Sequence, residues 1–129
     1  MPADLDRQFG RYNLPDHGNL LANIIRWTAK DNIPIRVDCP GLLDCNLYHQ
    51  SGRLILHIIN LTSAGTWRQP VDEFIPVGPV NVRVQLSGEV IGNEVKLLVS
   101  GQTQSIKPEN GWTSFMIDSI TDHEVAVIM

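Results

Sequence analysis

Hydrophobic and polar positions along this chain change their rhythm once, near residue 33, and that change organises everything else. From Gly18 the apolar residues Leu20, Leu21, Ile24, Ile25, Thr28 and Ala29 recur at one, four and five positions, which lays a stripe along one side of a helix. The spacing predicts a helix over 18–31, with Asn19 as its N-cap and Asn32 with Pro34 as its stop. Ahead of it, residues 1–17 hold Pro2, Pro15 and the charges Asp4, Asp6, Arg7 and Arg11 without a sustained period, so they read as an irregular arm.

Beyond Ile33 the period is two. Leu43, Cys45 and Leu47 alternate with Asp44, Asn46 and Tyr48, and Val80, Val82, Val84 and Leu86 alternate with Asn81, Arg83 and Gln85. The run Arg53 to Leu61 is apolar on both sides of the pleat apart from His57 and Asn60, which predicts a central strand. His49-Gln50-Ser51-Gly52, Ser87-Gly88, Gly92-Asn93 and Asn110-Gly111 punctuate these runs as turns. Pro70, Pro76, Gly78 and Pro79 make Val71 to Pro79 a connection, because prolines cannot donate to a ladder. Seven to nine short strands with little helix for crossovers predict a mainly β chain, an antiparallel β-sandwich over 33–129 preceded by one amphipathic helix. A lone helix of about a dozen residues is marginal in water, so its stripe must find cover against the sheet, a neighbouring domain or another subunit.

Composition narrows the function classes. The chain has 129 residues, 43% of them hydrophobic and 19% charged, which suits one globular domain. Ten basic residues against fourteen acidic ones leave a net charge of -4, with no positive surplus for nucleic acid or anionic lipid. No apolar run approaches the roughly 20 residues of a membrane span, and Met1-Pro2-Ala3-Asp4 does not open a signal peptide, so a soluble, cytoplasmic protein is expected. Cys39 and Cys45 are too few for a disulfide scaffold and lack zinc-ligand spacing.

Candidate chemistry is sparse. His17, His49, His57 and His123 include no pair at helical i, i+4 spacing; His57 lies inside the most apolar strand and reads as a neutral core ring, and Asp122-His123 reads as a turn. Asp72 and Glu73 are adjacent and point to opposite faces of an extended chain, which suits no glycosidic acid and nucleophile pair. No nucleophile elbow, phosphate loop or metal motif is present, so no catalytic residue, cofactor or metal is expected. Asn60-Leu61-Thr62 matches a glycosylation sequon by pattern alone. Trp67 and Arg68, in the polar loop Gly65-Thr66-Trp67-Arg68-Gln69, could hold a glycan by stacking or pack at an interface; Trp27 and Trp112 read as packing residues.

Four segments in order carry a resemblance: His17 to Trp27 (HGNLLANIIRW), Arg53 to Thr62 (RLILHIINLT), Pro70 to Gly78 (PVDEFIPVG) and Asp122-His123-Glu124-Val125. Together they resemble the C-terminal region of β-galactosidase-like glycoside hydrolases, family 42 and related glycosyl hydrolases. The resemblance implies that the helix corresponds to the last helix of a flavodoxin-like trimerisation domain and residues 33–129 to a terminal β-sandwich. It carries over no catalytic residue, since that family's two catalytic glutamates belong to a barrel this chain lacks.

Two functions compete on this reading. One is a non-catalytic structural and interaction module, in which Leu20, Leu21, Ile24, Ile25 and Trp27 dock on a second copy or on a hydrolase partner domain. The other is a carbohydrate-binding module using Trp67 and Arg68. An independent small enzyme would need convergent polar groups that the sequence does not assemble.

Overall fold

The computed structural model describes residues 4–12, 14–62 and 73–129. The chain divides into two compact units, Met1–Ile33 and Pro34–Met129.

The first unit holds two helices, α1 (Leu5–Tyr12) and α2 (Pro15–Thr28). Here the expected irregular arm over 1–17 is corrected: most of it is helical, and α2 begins at Pro15 rather than at Gly18. Proline in the first turn forfeits no hydrogen bond and its fixed φ already suits a helix, so Pro15 opens α2 instead of breaking the chain. Leu14, not Asn19, is the N-cap, and it makes no side-chain cap bond. Eight residues are too few for a free-standing helix. Leu5 and Phe9, one turn apart on α1, are half-buried, and the Phe9 ring fills the space that a Cβ on Gly18 of α2 would occupy. At the other end α2 closes through Lys30 and Asp31 at φ 50° and 56°, with the Asp31 amide donating to the Arg26 carbonyl at 2.9 Å.

The second unit is a mainly β, two-sheet antiparallel sandwich. Its strands are β1 (Ile35–Asp38), β2 (Leu43–Gln50), β3 (Arg53–Asn60), β4 (Val80–Gln85), β5 (Glu94–Leu97), β6 (Thr103–Ser105), β7 (Trp112–Ile117) and β8 (His123–Ile128). Three form the sheet β1-β4-β7 and five form the sheet β2-β3-β8-β5-β6, every pairing antiparallel. Alternation places Val80, Val82, Val84, Phe115 and Ile117 inward from the first sheet, and Leu54, Leu56, Ile58, Val95, Leu97, Ala126 and Ile128 inward from the second. As the sequence predicts, β3 is central, between β2 and β8. Ser51-Gly52 joins β2 to β3 as a two-residue turn with Gly52 at φ 73°.

Polar side chains tie the layers at their ends. The Asn60 side-chain amide donates to the carbonyls of Ile75, Ile120 and Thr121 at 2.8, 3.2 and 2.8 Å, and its oxygen accepts from the Thr62 amide. Gln104 of β6 donates to the Met116 carbonyl of β7 at 2.7 Å, linking an edge of one sheet to an edge of the other. Among the described residues 73–79, just before β4, the one ladder contact is the bridge Val77↔Ile120, which bears out the reading of this part of the Pro-rich stretch as a connection.

Candidate functional site

The helical stripe is the first candidate. Leu20, Ile24, Ile25 and Trp27 are exposed to 49, 46, 61 and 82%, whereas Leu21 is half-buried. Leu21 lies three residues from Gly18, on the side that Phe9 covers, so the open stripe is narrower than the sequence pattern suggests. It runs Leu20-Ile24-Trp27, with Ile25 beside it. Trp27, expected as a packing residue and as part of the docking stripe, does not pack within its own unit. Its indole instead lines an open recess with Thr28, Lys30 and Asp31 at the end of α2.

Trp67 and Arg68, the candidate glycan contacts, lie outside the described residues. The histidines stay apart. His57 is exposed, which corrects its reading as a core ring: the period of two turns it to the outer face of β3, where it meets Tyr48 edge-on at 5.6 Å. That outer face also carries Ile55, Ile59, Val125 and Val127, so the apolar character of β3 on both sides is real but only its inner side is core. His123 contacts Asp122 at 3.1 Å; the His123 backbone and ring hydrogen bonds hold the Asp122 carboxyl below its usual range. Among the described residues no group of three or more His, Cys, Asp or Glu could hold a metal ion, and no helix is long and apolar enough to cross a membrane.

Three further groups explain themselves structurally. Glu124 is buried, and burial pushes its pKa up; the amides of Val99, Val125 and Ser100, donating to the carboxylate at 2.8 to 3.0 Å, outweigh this and hold it below the ordinary value. The carboxylate thereby shapes the turn between β5 and β6. Burial, then Asp44 and Cys39, push the Cys45 thiol up to about 11, so it is no nucleophile at neutral pH. The sequon residue Asn60 is buried with its amide nitrogen donating to three carbonyls, which leaves it inaccessible as a glycan acceptor in the folded chain.

The outer face of the three-stranded sheet is different in kind, and sequence reasoning passed over it. Asn110 and Gly111, at φ 52° and 76°, make the two-residue turn that pairs Glu109 with Trp112. That turn starts β7 with Trp112 pointing away from the core, because Thr113, Phe115 and Ile117 take the inner positions. Arg36 and Arg83 are direct cross-strand partners on the same outer face. Their guanidinium carbons lie 5.3 and 5.5 Å from the Trp112 ring centroid. Asn81, Gln85, Ser114 and Met116 share this face, as does one carboxylate on the strands, Asp38. Among the described residues neither arginine forms an ion pair or donates a side-chain hydrogen bond. The signal available in the sequence was the outward set Arg36, Arg83 and Trp112 in alternating strands; register was needed to bring them together.

No family model matches this chain, and no curated protein does. Solved structures do share its fold. Over 96% of this chain and 19% of theirs, it is similar to α-L-fucosidase isoenzyme 2 from Paenibacillus thiaminolyticus, with a TM-score of 0.76 and 17% identity. Over 73% of this chain and 16% of theirs, it is similar to a cycloisomaltooligosaccharide glucanotransferase from Paenibacillus sp. in complex with cycloisomaltoheptaose, with a TM-score of 0.55 and 16% identity. At such identities the likeness is one of fold. The chain spans less than a fifth of the length of either enzyme.

Proposed function

We propose that this chain is a non-catalytic structural and interaction module of a glycoside-hydrolase-like assembly, self-associating or docking on a hydrolase partner domain through α2. The observation that carries this reading is the apolar stripe Leu20, Ile24 and Trp27, exposed on a helix whose other side packs on α1. Contiguous exposed apolar surface of this kind marks interfaces. A fold that recurs as a small share of two much larger carbohydrate-active enzymes supports an accessory role. The family 42 affiliation implied by the four sequence segments belongs to the same proposal. Analytical ultracentrifugation tests it: the chain should sediment as a concentration-dependent oligomer, and Ile24→Glu with Trp27→Glu should shift it to monomer with unchanged circular dichroism. A wild-type chain that stays monomeric at high concentration would count against the reading.

A carbohydrate-binding role is the second reading, supported by the glucanotransferase that shares this fold and is described with a bound cyclic glucan. In it Trp67 stacks on a sugar ring while Arg68 hydrogen-bonds to its hydroxyls. Calorimetry against galactosides and plant polysaccharides should show heat that Trp67→Ala abolishes; silence from the unaltered protein would end it.

A further inference from the structure

The geometry points to a binding site for an acidic saccharide, a chain bearing hexuronate carboxylates, on the outer face of the three-stranded sheet at Arg36, Arg83 and Trp112. This site rests on the carbohydrate reading above but lies apart in sequence from Trp67 and Arg68, on strands β1, β4 and β7.

Charge makes the first argument. Pro34–Met129 carries ten acidic residues against six basic ones, yet two of the six stand directly opposite each other on one small face. Like charges at a direct cross-strand position repel, and the fold retains them without a carboxylate partner. Asp38 is on the same face, one pleat along from Arg36, but pairs with neither guanidinium. An incoming anion would supply the missing countercharge.

Shape makes the second. A guanidinium lying over an indole face, as both do here, spends no N–H hydrogen bond in that contact, so its N–H groups remain available to a carboxylate. Two such groups near one ring present paired forks, the arrangement that suits carboxylates better than point cations do. The Trp112 ring supplies an apolar face beside the two guanidiniums, while Asn81, Gln85 and Ser114 on neighbouring outer positions offer amide and hydroxyl partners for sugar hydroxyls. A small inorganic anion would use the forks and none of the rest. A neutral sugar would leave the forks unneutralised.

Titration of the full chain with trigalacturonate, maltotriose and sodium sulfate, followed by calorimetry and backbone amide shifts, tests the assignment. Trigalacturonate should bind saturably, shift amides of β1, β4 and β7, and weaken as salt rises. Arg36→Gln and Arg83→Gln should each weaken it about tenfold, the size of one lost charge-assisted contact. Amide spectra elsewhere should stay unchanged, which separates lost binding from lost folding; Trp112→Phe, which keeps a ring, should weaken binding less than either arginine change. No saturable binding, shifts confined to other strands, or sulfate binding as tightly as the trisaccharide would each overturn the site. Neutral-glycan binding abolished by Trp67→Ala while trigalacturonate stays silent would overturn this site and spare the broader reading. Trigalacturonate binding here with a silent neutral panel would do the reverse for the Trp67 contact.

Discussion

At Glu124 a single carboxylate accepts the amides of Val99, Ser100 and Val125 from inside the sandwich, and the cost of its burial is outweighed by those bonds. Its folded pKa lies below its ordinary value of 4.5, so the stabilisation it contributes is present above that pH and drains away as pH falls through the folded value. Thermal melts from pH 7 down to 2 should therefore show a falling melting temperature below about pH 4.5, and Glu124→Gln should lower stability at pH 7 while flattening that acid limb. Asn60 works by the same logic without charge. Asn60→Leu removes the side-chain donor to the carbonyls of Ile75, Ile120 and Thr121 at the sandwich end, and chemical denaturation should register a loss of about 2–3 kcal/mol. Cys45 should resist alkylation at pH 7.5 and react only as pH approaches the alkaline range, because its thiol is pushed up to about 11. None of these roles was legible from residue type. Asn60 matched a sequon by pattern and Glu124 carried no signal of its own, since a lone polar letter does not reveal which backbone groups surround it.

The elements divide into those announced by periodicity and those made by contact. Alternation in 43–48 and 80–85 predicted β2 and β4, because a two-residue repeat has one physical outcome when one face is dry, and the continuous apolar run over 53–60 predicted β3. Helix α1 carries no such announcement: it is short, charged and set between prolines, and it exists because Phe9 can close on a glycine. Gly18→Leu should push the Phe9 ring away and release α1. The expected measurement is a fall in helical ellipticity with little change in the β signal, since Gly18 meets only the Phe9 ring. The same distinction explains His57. Its strand is as apolar as a buried one, but a strand has two faces and only register says which one the sandwich uses.

Among the described residues of the molecule, every member of the buried cluster comes from between Leu54 and Ile128, and the half-buried residues packed on it from Ile35 onward. Residues 34–129 alone should consequently unfold cooperatively with a β-type spectrum, and loss of cooperativity on removing 1–33 would contradict that. The mainly β class, the central place of β3 and the apolar stripe on α2 followed from the sequence by itself, because hydrophobic repeats are local and water enforces them locally. The pairing of Arg36 with Arg83 beneath one indole, the latch at Asn60 and the turn folded around Glu124 were decided only in three dimensions. They reach across as many as 76, 61 and 25 positions of the chain respectively, and no repeat in the chain encodes which distant strand will lie alongside.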